Sequence, residues 1–297
     1  MGAGRDVAVW QESSMTSQTK TAPSISFELF PPKTGQGFEN LKRTISQLNQ
    51  AKPEYFSVTY GAGGSTQERT FASVDWLREQ GIETAPHLSC IGASVEETVA
   101  ILQHYRDQGV NRIVALRGDL PSGAGLGALG ELNYANELVS LIRERFGDQF
   151  RIEVAAYPEF HPQAPNPETD LANFKRKVDA GADSAITQYF YNPDAYFRFV
   201  DECSRLGVEI PIIPGIMPIT NYSSLVRFSD ACGTEIPRWI RKRLEGFGDD
   251  LESIRAFGLE VVTELCRRLL EGGAPGLHFY TMNQSEPTLR LCDRLGL

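Results

Sequence analysis

The sequence predicts an α/β protein built as a single (β/α)8 barrel, the TIM-barrel architecture. Three observations carry that prediction. Eight short strand-like runs alternate with helical stretches from Ser24 to the C-terminus. Strands separated by helices pair in parallel through right-handed crossovers, and eight such units favour closure over an open sheet. Finally, 297 residues with 41% hydrophobic content are enough for one barrel-sized core. An open, doubly wound sheet is the rival. Residues 1–22 are polar and aperiodic and read as a flexible arm, which leaves 23–297 as the barrel domain.

The elements follow in order. SISFELF (24–30) is the first strand, followed by a helix near 38–49; EYFSVTY (54–60) is the second, followed by a helix near 66–80. TAPHLSC (84–90), RIVALR (112–117), RIEVAAY (151–157), DSAITQYF (183–190) and VEIPIIPG (208–215) continue the alternation, and GLHFYTMN (276–283) closes it. Helical pieces at 237–245 and 250–271 lie between the last two strands, as an insertion or an extended seventh helix. The first strand has a period of two: Ile25, Phe27 and Leu29 share one face, Ser24, Ser26 and Glu28 the other. If the apolar face meets the helices, Glu28 points inward near the strand's C-terminal end, where barrel active sites lie. Phe30, Pro31 and Pro32, with Phe27 beside it in the chain, suggest a rigid apolar surround for it. A solvent-facing glutamate on an edge strand is the alternative.

Composition excludes several classes of function. A formal charge of −9 and a pI near 5.1 give the wrong long-range field for nucleic acid or an anionic membrane. No apolar run approaches the roughly 18 residues of a spanning helix, and the start of the chain lacks a signal peptide's apolar core, so a cytoplasmic protein is expected. Cys90, Cys203, Cys232, Cys266 and Cys292 are scattered and contain no C-x-x-C pair, which indicates neither a disulfide framework nor a zinc site. His87 and His161 have no third ligand at a clear spacing, so no metal is expected.

The G-x-G-x-x-G match at Gly125–Gly130 is a poor dinucleotide motif, because Gly118 to Ala124 separate it from its strand. Gly61-Ala62-Gly63-Gly64 directly follows Thr59 and Tyr60 at a strand end and suits close approach by a planar ligand, with a plain turn as the alternative. Polar or aromatic groups also close other strands: His87, Tyr157 with His161, and Gln188, which together would rim one pocket. Lys175, Arg176 and Lys177 concentrate positive charge on one helix, as solvated charge or as partners for a pyrophosphate.

FELFPPK, SVTYGAGGST, APHLSC, ALRGDLP, AAYPEFHP, LANFKRKVDAGADSAITQYF, IPIIPGIMPI and HFYTMN resemble, in order and spacing, the bacterial form of the methylenetetrahydrofolate reductase family. The resemblance runs from about residue 24 to the C-terminus. It implies a barrel that holds FAD without a Rossmann motif, a homo-oligomer, and ping-pong transfer of hydride from NADH, with NADPH as the alternative donor, to 5,10-methylenetetrahydrofolate. Under it, Glu28 is the acid that protonates N10 of the folate, and Asp119 offsets the cation at N5. Flavin contacts fall on Thr59, Tyr60, Ala62, His87, Arg117, Gly118, Asp119, Ala135, Tyr157, His161, Ala164, Asp170, Asn173, Arg176 and Lys177. Substrate contacts fall on Asp119, Gln188, Ser224, Phe228 and Gln284, and at Ser224 and Gln284 related enzymes can carry Gln and Arg instead. A flavin-free relative with direct hydride transfer and an adhesion module read from Arg117-Gly118-Asp119 are the competing functions.

Overall fold

Alternation along β1 (Ser24–Leu29) sorts its side chains as the sequence predicts. Phe27 packs outward against Phe56 and Phe279, with ring centroids 5.6 and 5.8 Å away, while Ser26 and Glu28 turn into the barrel. The computed structural model describes residues 23–60, 64–118 and 130–297. The proposed arm at 1–22, Ala62, Asp119 and nearly all of the Gly125–Gly130 motif lie outside the described residues.

The remaining strands are β2 (Tyr55–Val58), β3 (Thr84–Ser89), β4 (Arg112–Leu116), β5 (Arg151–Ala156), β6 (Ser184–Thr187), β7 (Ile212–Ile213), β8 (Gly215–Ile216) and β9 (Gly276–Tyr280). Every pairing is parallel, in the order β7-β6-β5-β4-β3-β2-β1-β9-β8. The seventh run differs from the expectation of one strand over 208–215. Pro214 has no N–H to give a ladder and divides the strand into β7 and β8. β7 pairs with β6 and β8 with β9, so one barrel strand passes from one neighbour to the other and closes the ring. The Pro214 carbonyl joins that closure by accepting from the His278 N–H at 3.0 Å. Gly215 is required there, since a Cβ would lie 2.2 Å from the Thr187 carbonyl oxygen.

The helices are α1 (Gly35–Leu48), α2 (Gly64–Glu79), α3 (Val95–Asp107), α4 (Ala135–Phe146), α5 (Pro167–Asp179), α6 (Pro193–Arg205), α7 (Tyr222–Cys232), α8 (Arg238–Phe247), α9 (Leu251–Glu271) and α10 (Ser285–Leu295). Side-chain caps from Thr34, Ser94, Asn166, Asn192, Asn221 and Asp250 start six of them. Three helices, α7 to α9, follow the seventh barrel strand, where the sequence suggested an insertion.

Register stacks the inward residues in layers. At the N-terminal end, Arg112 on β4 pairs with Glu153 on β5 at 2.5 Å and with Glu54, and its guanidinium lies 4.2 Å from the Tyr55 ring centroid. Tyr55, Ala85, Val114 and Ile186 fill the middle. Glu28, His87 and Tyr280 stand nearer the C-terminal end, two residues further along their strands.

Candidate active site

Glu28 is the next-to-last residue of β1, and its backbone is fixed from the neighbouring strand. The Thr281 hydroxyl donates to the Glu28 carbonyl at 2.6 Å. The Asn283 side chain clamps Phe30 in both directions, accepting from its N–H at 2.9 Å and donating to its carbonyl at 2.8 Å. Glu28 is 7% exposed, and its carboxyl group faces two imidazoles: His87 Nε2 is 3.4 Å and His278 Nε2 3.8 Å from Glu28 Oε2. Neither nitrogen has a hydrogen-bond partner among the described residues, although both are buried. Burial pulls the His87 pKa below its ordinary value, with the Glu28 charge opposing and His278 adding to the shift. His87 is therefore a neutral ring at neutral pH.

The expected apolar surround of Glu28 needs correction. Phe27 lies on the opposite face of the strand, and Phe30 is 37% exposed. The groups that meet the carboxyl are polar and come from other strands, as a period of two requires.

The strand ends beside Glu28 gather most of the remaining predicted residues. Thr59 and Tyr60 follow β2 and are half-buried. Arg117 and Gly118 follow β4; the Arg117 guanidinium reaches across to Gln163 at 2.6 Å. Gly118 has φ +86°, and a Cβ there would lie 1.9 Å from Ser89 Oγ, whose hydroxyl donates to the Arg117 carbonyl at 2.8 Å. Only glycine fits this turn. Tyr157 follows β5, with its ring edge-on to His161 at 4.6 Å. Asp170 on α5 accepts from the His161 backbone N–H at 2.9 Å, and the His161 carbonyl accepts from Ala164 at 2.9 Å, so α5 and the loop before it are bound together.

The three cations of α5 separate. Lys175 pairs with Asp179 on the surface at 2.6 Å, Arg176 donates to Asn173 at 2.6 Å, and Lys177 turns under the helix to donate to the Ala155 carbonyl at 2.5 Å. Burial lowers the Lys177 pKa to about 8, with Asp170 opposing the shift. Ala135 begins α4.

Gln188 follows β6 and lines a recess of about 190 Å³ together with Tyr157, Phe160, Tyr189 and Cys232. Phe228 lies on α7, with the Arg227 guanidinium 5.4 Å from its ring centroid. Ser224 sits in the first turn of α7, its N–H held by Asn221, and Gln284 precedes α10. Two residues were missed. His278 is fully buried and bonded to Ser26, and Tyr280 donates to the Thr187 carbonyl at 2.7 Å. The period of two in GLHFY, which puts Gly276, His278 and Tyr280 on one face, was signal enough to find both.

A closed parallel barrel with a carboxyl group between two imidazoles at the C-terminal ends of its strands is built as an enzyme of the barrel class. Residues 14–296 match the family model described as methylenetetrahydrofolate reductase. The chain is 40% identical to 5,10-methylenetetrahydrofolate reductase of Escherichia coli K12 over 92% of this chain and 91% of that one. It is 41% identical to that of Salmonella typhimurium, again over 92% and 91%. Methylenetetrahydrofolate reductase (NADH) 1 of Arabidopsis thaliana is 39% identical over 96% of this chain and 50% of its own length. Among solved structures, an uncharacterized protein from Clostridium thermocellum superposes with a TM-score of 0.65 at 16% identity, covering 93% of this chain and 96% of that one, which shows a shared fold. The chain belongs to the methylenetetrahydrofolate reductase family and is an oxidoreductase.

Proposed function

We propose that the protein reduces 5,10-methylenetetrahydrofolate to 5-methyltetrahydrofolate with NADH through bound FAD, the oxidised nicotinamide leaving before the folate binds. The observation that carries this reading is Glu28, a buried carboxyl group at the barrel mouth within 3.4 Å and 3.8 Å of two imidazole nitrogens. Opening the folate's five-membered ring makes N10 an amine leaving group, and an amine leaves well only when protonated. Glu28 supplies that proton. Asp119 is the carboxylate that the sequence offers to the cation then formed at N5. The Clostridium structure is described as binding two copies of 5-methyl-5,6,7,8-tetrahydrofolic acid, and the Arabidopsis relative carries NADH in its name, which supports the choice of acceptor and donor.

The residues at the mouth fit a flavin dinucleotide. Arg117 follows β4, Lys177 reaches the β5 carbonyl of Ala155, and Arg176 is its neighbour on α5; in a chain with net charge −9 these three cations suit a diphosphate, and Gly118 presents backbone without a side chain. A flavin held there would supply the carriage of a hydride between the reduced nicotinamide and the one-carbon unit. Purified protein is expected to show a flavin absorbance band, or to gain one with FAD, and to convert the folate with NADH. A colourless protein that reduces the folate without taking up FAD would overturn this reading in favour of direct hydride transfer. The same reading includes a homo-oligomer, which light scattering would show as a mass that is a multiple of 32.9 kDa.

Lys177 gives the cofactor a pH dependence. A lysine with a pKa of about 8 is cationic below that pH and neutral above it. Affinity for FAD, followed by quenching of its fluorescence in the apoprotein, should therefore fall as pH rises through 8, by up to about tenfold per pH unit where the free site has lost the proton and the occupied site keeps it. Lys177→Met should weaken binding about 10- to 100-fold at pH 7 and remove the dependence. A Lys177→Met variant that binds FAD as tightly as the parent would exclude Lys177 from the anion site.

A further inference from the structure

Along the inside of the barrel, Ser26 on β1 and His278 on β9 form a chain that ends at Glu28, with the Tyr55 ring of β2 beside it. Ser26 Oγ is 2.7 Å from His278 Nδ1. His278 Nε2, on the far side of the ring, is buried without a hydrogen-bond partner among the described residues, 3.8 Å from Glu28 Oε2. The register that sets Ser26 opposite His278 and Tyr55 opposite Ser26 fixes all three. The His278 ring is further held between Tyr55, whose ring stacks on it at 6.2 Å, and Tyr280, edge-on at 5.4 Å.

The protons in this chain have a direction. Burial pushes the Tyr55 hydroxyl far above the usual phenol range, with the charge on Glu153 adding to the shift, so it stays protonated. The Ser26 hydroxyl has a proton to give, and Nδ1 of His278 is the acceptor 2.7 Å away. A neutral imidazole that accepts at Nδ1 carries its hydrogen on Nε2, pointing at Glu28.

We propose that His278 is a positioning residue whose Nε2–H, set by Ser26, receives the negative charge left on Glu28 as its proton passes to the folate N10. The inference rests on the reading of Glu28 as the acid. In this step the Glu28 O–H bond breaks, the N10–H bond forms and the N10–C bond breaks, with no other reactant. At 3.8 Å the Nε2–Oε2 pair is too long for a hydrogen bond with neutral Glu28; a shift of under about 1 Å completes the bond when the carboxylate forms, so the donor acts where charge develops. Among the described residues, Ser26 and Glu28 on β1, Tyr55 on β2, His87 on β3 and Tyr280 on β9 are polar or titratable groups facing His278, and β8 sets Gly215 beside it.

The test compares Glu28→Gln, His278→Gln and Ser26→Ala in the flavin-loaded enzyme by stopped flow, following NADH oxidation and folate reduction separately from pH 6 to 9. The expected result is that His278→Gln slows folate reduction about 10- to 100-fold and Ser26→Ala less, with NADH oxidation unchanged. In both variants the alkaline limb of the folate profile should move to higher pH, because a carboxylate whose donor is displaced or no longer held in the right tautomer keeps the proton more tightly. Ser26→Ala, a small change to one hydroxyl, keeps the question open to test should His278→Gln fold poorly. Unmoved limbs in both variants, or limbs that move to lower pH, would overturn the role of His278 even if Glu28→Gln abolishes folate reduction. Retention of folate reduction in Glu28→Gln would instead remove the acid on which the inference rests.

Discussion

Glu28→Gln is expected to lower the rate of folate reduction by about 10²- to 10⁴-fold, the usual contribution of a positioned general acid, while NADH oxidation with an artificial quinone acceptor stays within about threefold of the parent. The asymmetry comes from the chemistry. Only the opening of the folate ring creates a leaving amine, and hydride transfer from the nicotinamide needs no proton from the protein. Glutamine has the same shape and keeps the Thr281 contact, which is made to the Glu28 backbone, so β1 should not move. The amide still meets His87 and His278, and it has no acidic proton to give. Single-turnover absorbance of the pre-reduced enzyme mixed with the folate reads the second half-reaction alone. Equal loss in both half-reactions would mean that Glu28 serves cofactor binding or folding, and the assignment as acid would fall.

Sequence alone reached Glu28 because period two is a local property: the residues that choose the inward face of β1 are its own neighbours. The same locality produced the error about its surroundings. Phe27 is adjacent in the chain and therefore opposite in space, whereas His87 and His278 come from strands whose register was unknown before the barrel closed. Pro214 shows a second limit. A proline in VEIPIIPG is readable, yet its consequence, two half-strands with different partners, depends on which strands stand on either side. The basic run on α5 was equally visible, but the rotation of about 100° per residue decides that Lys175 meets water while Lys177 turns to the β5 carbonyl. Arg117-Gly118 was legible as a chemical feature at a strand end, and the positive φ of Gly118 supplies its physical reason.

Arg112→Met, at the opposite end of the same barrel, should do the reverse of Glu28→Gln: a large loss of stability with little loss of catalysis. Glu153 is fully buried; its Oε1 meets Arg112 at 2.5 Å and its Oε2 has no hydrogen-bond partner among the described residues. Methionine keeps an apolar stem against the Tyr55 ring and removes the charge, leaving a carboxylate buried with nothing to balance it. Breaking a buried pair in this way costs about 3–5 kcal/mol, which urea unfolding would show as a lower midpoint with an unchanged slope. Glu153→Leu in the same chain should recover most of the loss, because a buried pair replaced on both sides by apolar groups is close to neutral. Activity per folded molecule should stay within about threefold, since the substituted layer lies at the N-terminal ends of the strands and the reacting groups at the C-terminal ends. If Arg112→Met alone left stability within about 0.5 kcal/mol of the parent, as ordinary surface substitutions do, the Arg112–Glu153 pair would have to be solvated and the polar layer would not be a structural plug.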